Sequence, residues 1–120
     1  MKPNIQARGF ILTESIRKYM ELRLAYAVSF ANDSIQRVTV HLSDINGPRG
    51  GDDKRCQLVF TLKGLPSVVI EDTESNLYVA IDRAVDRAGR TLARQLERKH
   101  EHREIRTSGI LRTEVINYAE

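Results

Sequence analysis

The chain has no tryptophan, a single cysteine, three prolines and only 6% aromatic residues in 120 positions. A lone thiol, Cys56, excludes an internal disulfide and any zinc site built from several cysteines. Only His41, His100 and His102 accompany it, and all four would have to converge to close a structural site, so no metal is expected. No stretch approaches the ~20 apolar residues that span a bilayer, and the opening MKPNIQARGF lacks the apolar run of a signal peptide. A soluble protein of the reducing cytoplasm, with no membrane partner, is the expectation. Spacings that would pair Ser with His and Asp, or Cys with His, are missing too. Cys56 lies in phase with Leu58 and Phe60 and reads as a buried structural residue, while His41 shares a polar face with Thr39 and Ser43. No enzyme, cofactor or small-molecule substrate is expected.

What is present suits one domain with one core: 41% hydrophobic and 29% charged residues, in a length that buries roughly two-thirds of the surface of its unfolded form. A short strand over 4–10 turns near Gly9. Thr13 then offers a cap, and Ile16, Tyr19, Met20, Leu24 and Ala27 recur at helical steps until Asn32, Asp33 and Ser34 end the helix. Val38, Val40 and Leu42 alternate with polar residues in a strand over 35–43, and Cys56, Leu58, Phe60 and Leu62 do the same in its hairpin partner. Val68, Val69 and Ile70 make a short fourth strand that dissolves into the acidic Glu71, Asp72 and Glu74. Ser75 caps a long helix whose stripe of Leu77, Ile81, Ala84, Val85, Ala88, Leu92 and Leu96 lasts more than five turns. The apolar stripe stops near Leu96, and 105–120 reads as a tail. The predicted fold is α+β, in the order β-α-β-β-β-α, with two helices on one face of a four-stranded mixed sheet.

Charge is mild in sum, Lys+Arg 19 against Asp+Glu 16, but not in place. On a helical wheel Arg83, Arg87, Arg90, Arg94 and Arg98 fall within an arc of roughly 80°, away from the apolar stripe. They extend over a little more than ~20 Å at 1.5 Å per residue, comparable with several successive phosphates. A solvated face balanced by Asp82, Asp86 and Glu97 is the alternative, but those acids lie to one side of the ridge. A run of arginine repels itself unless it meets a polyanion, which points to nucleic acid. The strands lack the exposed aromatic pairs on which single-stranded RNA modules stack bases, so recognition by shape and phosphate on a structured RNA is expected. The loop NGPRGG, followed by Lys54 and Arg55, precedes a strand instead of a helix and has no G-K-[ST] order. It reads as a hairpin turn whose Arg49, Lys54 and Arg55 add positive charge, and less well as a nucleotide loop.

The passage SNLYVAIDRAVDRAGRTLARQLERK, entered from VVIED, resembles the ribosome hibernation promoting factors, also called ribosome-associated inhibitors or sigma-54 modulation proteins. The likeness rests on Tyr78, Ala80 and Ile81, on Arg87, Arg90 and Arg94, on the Arg94-Gln95-Leu96 step, and on Thr13, Ile16, Arg17, Arg23 and Leu24 of the first helix. It covers roughly residues 2–102 and matches the short form, with a ribosome-binding domain over 1–104 and a tail over 105–120. The resemblance implies binding of the small ribosomal subunit between head and body, through rRNA, where messenger and transfer RNAs would otherwise sit. It implies inhibition by occupancy, with Arg23 and the second-helix arginines on the rRNA-binding surface. Two departures stand out. Tyr26 and Ser29 replace lysines late in the first helix, and the longer loop DINGPRGGDDKR moves some contacts onto Arg49, Lys54 and Arg55. Direct pairing of ribosomes by a separate dimerisation domain is not expected. Two other readings are a general structured-RNA binder and a protein-interaction module whose apolar tail, with Ile110, Leu111, Val115, Ile116 and Tyr118, adds a strand to a partner.

Overall fold

A computed structural model describes residues 2–45 and 53–111, with 99–111 as backbone alone. Its elements are β1 (Asn4–Arg8), α1 (Glu14–Val28), a 3-10 segment (Ser29–Ser34), β2 (Ile35–Asp44), β3 (Lys54–Leu62), β4 (Val68–Glu74) and α2 (Leu77–Leu111). The strands lie in the order β1-β2-β3-β4, with β1 parallel to β2 and the other pairs antiparallel. This is the expected β-α-β-β-β-α mixed sheet. Its one parallel pair needs a crossover, which α1 supplies, while the remaining strands turn directly into their neighbours.

Alternation decides which face is covered. Val38, Val40 and Leu42 of β2 and Cys56, Leu58 and Phe60 of β3 are buried beneath the helices. They meet Met20, Leu24 and Val28 of α1 and Ile81, Ala84, Val85, Ala88 and Leu92 of α2 in one cluster. Removing those side chains from water at about 25 cal/mol per Å² is what holds two helices on one side of the sheet. Cys56 is part of this core, and burial pushes its thiol up to about 12. The intervening residues Thr39, His41 and Ser43 face away from the helices, as their phase predicts.

Local chemistry fixes the element ends. Thr13 Oγ1 accepts from the Ile16 N–H at 3.2 Å, capping α1 as expected. Gly9 has φ +88°, and a Cβ there would stand 2.9 Å from the Asp44 carbonyl oxygen, so only glycine turns the chain out of β1 at this point.

Two boundaries differ from the sequence expectation. β4 does not dissolve at Glu71 but runs to Glu74, because β3 presents basic partners: Lys54 pairs in register with Glu74, and the Arg55 Nε lies 3.2 Å from Glu71 Oε2. The cap of α2 is Asn76 and not Ser75. Its side-chain oxygen accepts from the N–H groups of Tyr78 and Val79 at 2.8 and 3.3 Å. α2 runs to Leu111, about 52 Å of helix at 1.5 Å per residue. Among its described side chains, which reach residue 98, the last fully buried one is Leu92, with Leu96 only partly covered, as the end of the apolar stripe near Leu96 implies. The tail that one reading has adding a strand to a partner lies largely outside the described residues, and its first part, through Leu111, is helical.

Candidate nucleic-acid interface

The two helices run side by side in the same direction, and their contacts define a register. Tyr19 donates to Asp82 Oδ1 at 2.5 Å, and its ring meets Tyr78 edge-on, with centroids 4.9 Å apart. That hydrogen bond is the main reason the Tyr19 phenol is held above its ordinary range. One turn on, Arg23 donates from Nε to Asp82 Oδ1 at 3.0 Å and from Nη2 to Asp86 Oδ1 at 3.1 Å. Another turn on, Gly89 lets the backbone of α2 approach the carbonyl of Ala27. Arg23 is thereby committed to bridging the helices, and it offsets one of the two negative charges of Asp82 and Asp86 on the α1 side of the arginine ridge.

On the other flank of α2 the first two ridge residues are tethered to the sheet edge. Arg83 Nε lies 3.6 Å from Glu74 Oε2. Arg87 donates from Nη1 to the Glu71 carbonyl at 2.8 Å and from Nη2 to Asp72 Oδ1 at 3.1 Å. The acidic stretch that resembles a solvated turn in the sequence thus holds the base of the ridge. Arg90, Arg94 and Arg98 are exposed and have no ion pair among the described residues. Spaced over eight residues, they present guanidinium groups along about 12 Å of the outer edge of the helix.

The remaining sequence candidates do not join this ridge. Lys54 is drawn to Asp53 Oδ1 at 2.8 Å and Asp44 Oδ2 at 3.5 Å, and the bond to Asp53 is the chief cause of its raised pKa. Arg55 belongs to the opposite, uncovered face of the sheet. There it lines a shallow groove of about 520 Å³ with Arg8, His41, Gln6 and Gln57. Arg49 and the glycine-rich turn lie outside the described residues. The sequence spacing sets five arginines along one helix, but it does not foresee that Arg23, Arg83 and Arg87 spend their charge on Asp and Glu partners contributed by α2 and β4.

One group of residues escapes that reading altogether. Leu22, Tyr26 and Phe30 are 63%, 82% and 55% exposed, on α1 and the 3-10 segment that follows it. The signal is their i, i+4 spacing on the face of α1 opposite Ile16, Met20 and Leu24.

Comparison with known proteins agrees with this fold. The family model described as sigma 54 modulation protein / S30EA ribosomal protein matches residues 4–100. A curated ribosome hibernation promotion factor from Picosynechococcus is 32% identical over 114 residues, covering 92% of this chain. The chain spans only 58% of that relative's length. Among solved structures, the N-terminal domain of Protein Y from Thermus thermophilus is similar with a TM-score of 0.61 and 32% identity, over 77% of this chain and 93% of that one. A ribosomal subunit interface protein from Coxiella burnetii shares the fold at a TM-score of 0.68, with 13% identity, over 81% of this chain and 99% of that one. With the matched segment running from the first strand through the arginine ridge of α2, the chain belongs to the sigma 54 modulation protein / S30EA ribosomal protein family.

Proposed function

We propose that this chain is a ribosome-associated hibernation factor of the cytoplasm that binds the small ribosomal subunit through rRNA phosphates and inhibits translation by occupying the path of messenger and transfer RNA. It acts by filling space and has no catalytic step. The observation that carries this reading is the run Arg90, Arg94 and Arg98 on the exposed edge of α2, with no ion pair among the described residues, in a chain of this family. Guanidinium groups with no carboxylate partner among the described residues can pair with phosphate oxygens, two donors at a time. Arg83 and Arg87 stand beside them and share the field while holding the helix against β4. The helical repeat of α2 sets the ridge residues at regular steps, which suits a surface of regularly spaced phosphates.

Sedimentation tests this directly. Purified chain should travel with small subunits on a sucrose gradient, saturably and at moderate salt, and Arg90→Glu/Arg94→Glu should abolish that while thermal unfolding stays where it was. Binding that fails to saturate, or that the reversal leaves intact, overturns the reading. Isolated duplex RNA held as tightly as the subunit would indicate a general binder of structured RNA instead.

A further inference from the structure

We infer that the outer face of the helix pair is a mixed surface on which Tyr26 and Phe30 stack against unpaired RNA bases while the α2 arginines hold the adjoining phosphates. This deepens the ribosome reading and rests on it for the source of the RNA.

Tyr26 is a large aromatic residue with 82% of its surface open to water, and its side chain forms no hydrogen bond or ring contact among the described residues. Leu22 precedes it by one turn, and Phe30 follows in the 3-10 segment, which packs beside α2. Three large apolar side chains in line on an otherwise charged surface expose more than a folded domain needs to, and such a patch marks a contact.

What the patch touches follows from the register of the helices. Ala27 meets Gly89, so Tyr26 lies one residue before this contact on α1, and Arg90 one residue after it on α2. A step of about 100° on each helix turns both outward, onto the same surface and on opposite sides of the groove between the helices. Between them, Asp82 and Asp86 are both bound by Arg23, which offsets one of their two charges, so the acids that separate the aromatic row from the cationic one are engaged by a guanidinium already in place. A protein partner with an apolar face would leave Arg90 and Arg94 unpaired against it. A duplex would satisfy the arginines but offer no π-face to Tyr26, because its bases are already stacked. Unpaired nucleotides satisfy both rows at once, as aromatic residues beside a basic groove do in single-strand binders.

The absence of tryptophan from the chain provides the experiment. Tyr26→Trp introduces the sole indole, and stacking on a base should quench its fluorescence saturably as a twelve-nucleotide oligo(A) is added. A duplex of the same length should leave it unquenched. In binding assays on the full chain, Tyr26→Leu/Phe30→Leu should weaken oligo(A) affinity about five- to tenfold, Tyr26→Phe should restore most of it, and duplex affinity should not change. Arg90→Glu/Arg94→Glu should weaken both RNAs. The inference is overturned by an indole that oligo(A) leaves unquenched, by leucine variants that bind oligo(A) like the parent, or by leucine variants that keep both RNAs but leave the small subunit. That last outcome would assign the patch to a protein. Sedimentation of the parent chain with small subunits is scored separately and bears on the ribosome reading alone.

Discussion

A Cβ added to Gly89 would lie 3.3 Å from the carbonyl oxygen of Ala27. This close backbone approach sets the spacing of α1 and α2 and places the Arg23 bridge between them. Alanine at Gly89 should be nearly neutral, since about 1 kcal/mol of gained helix propensity opposes a tight contact with backbone. Gly89→Leu should cost about 1–3 kcal/mol, because the oxygen it meets cannot swing aside. Urea midpoints of the two variants check this; equal midpoints would mean the helices part without penalty.

Arg87 and Arg94 occupy one ridge but should behave differently. Arg87→Glu removes the partner of Asp72, whose side chain is only 11% exposed, and sets a like charge against it. A loss of about 1–2 kcal/mol is expected, against a change within about 0.5 kcal/mol for Arg94→Glu at an open position. Chemical denaturation separates them, and similar values for both would show that the tether to β4 carries no stability.

Binding to RNA should follow the same division. Replacing Arg90 and Arg94 by alanine should lower the slope of log affinity against log salt by about 1.5–2, one phosphate contact each. Arg23→Ala should change that slope little, since its charge is already committed to Asp82 and Asp86. Titration of a labelled rRNA fragment at a series of salt concentrations would decide; a larger loss for Arg23 than for Arg94 would reverse the assignment.

Asn76→Ala should destabilise the chain by about 1 kcal/mol through loss of the two N–H groups it caps, whereas Ser75→Ala should not. Thermal melts of the two variants are sufficient, and a larger effect at Ser75 would contradict the cap.

Cys56 supplies a pH dependence. Its thiol is raised from 9.0 to about 12 by burial, so above about pH 9 the unfolded chain releases a proton that the native chain keeps. Stability should therefore fall as pH rises from about 9 toward 12, by at most ~1.4 kcal/mol per unit, and Cys56→Ala should flatten that part of the profile. A thiol reagent should label Cys56 only after urea is added. Rapid labelling of the native chain would show that the β2–β3 core opens readily.

Periodicity makes most of this fold readable in the sequence. Met20 and Leu24 at helical steps, and Leu58 and Phe60 at alternate ones, define their elements because burial imposes those periods. The end of β4 is not readable, since Glu71, Asp72 and Glu74 look like a solvated turn until Arg55, Arg87 and Arg83 are set beside them, and those partners come from other elements. The ridge is visible as a helical arc for the same reason as the core, but which of its arginines are free depends on tertiary neighbours that no local pattern encodes. Tyr26 stands out in the sequence only as a replacement for a lysine, and its exposure beside Arg90 emerges from the helix register.

The single parallel pair in the sheet also bears on the order in which the chain closes. β2, β3 and β4 meet through short connections, whereas β1 reaches β2 only across the whole of α1 and the 3-10 segment, and then as an edge strand. Its loop-closure entropy is the larger and its pairing the less stable per residue. β1 is therefore the strand that zips last and frays first, and amide exchange in Asn4–Arg8 should run ahead of exchange in Val38–Leu42 while the hairpins stay shut.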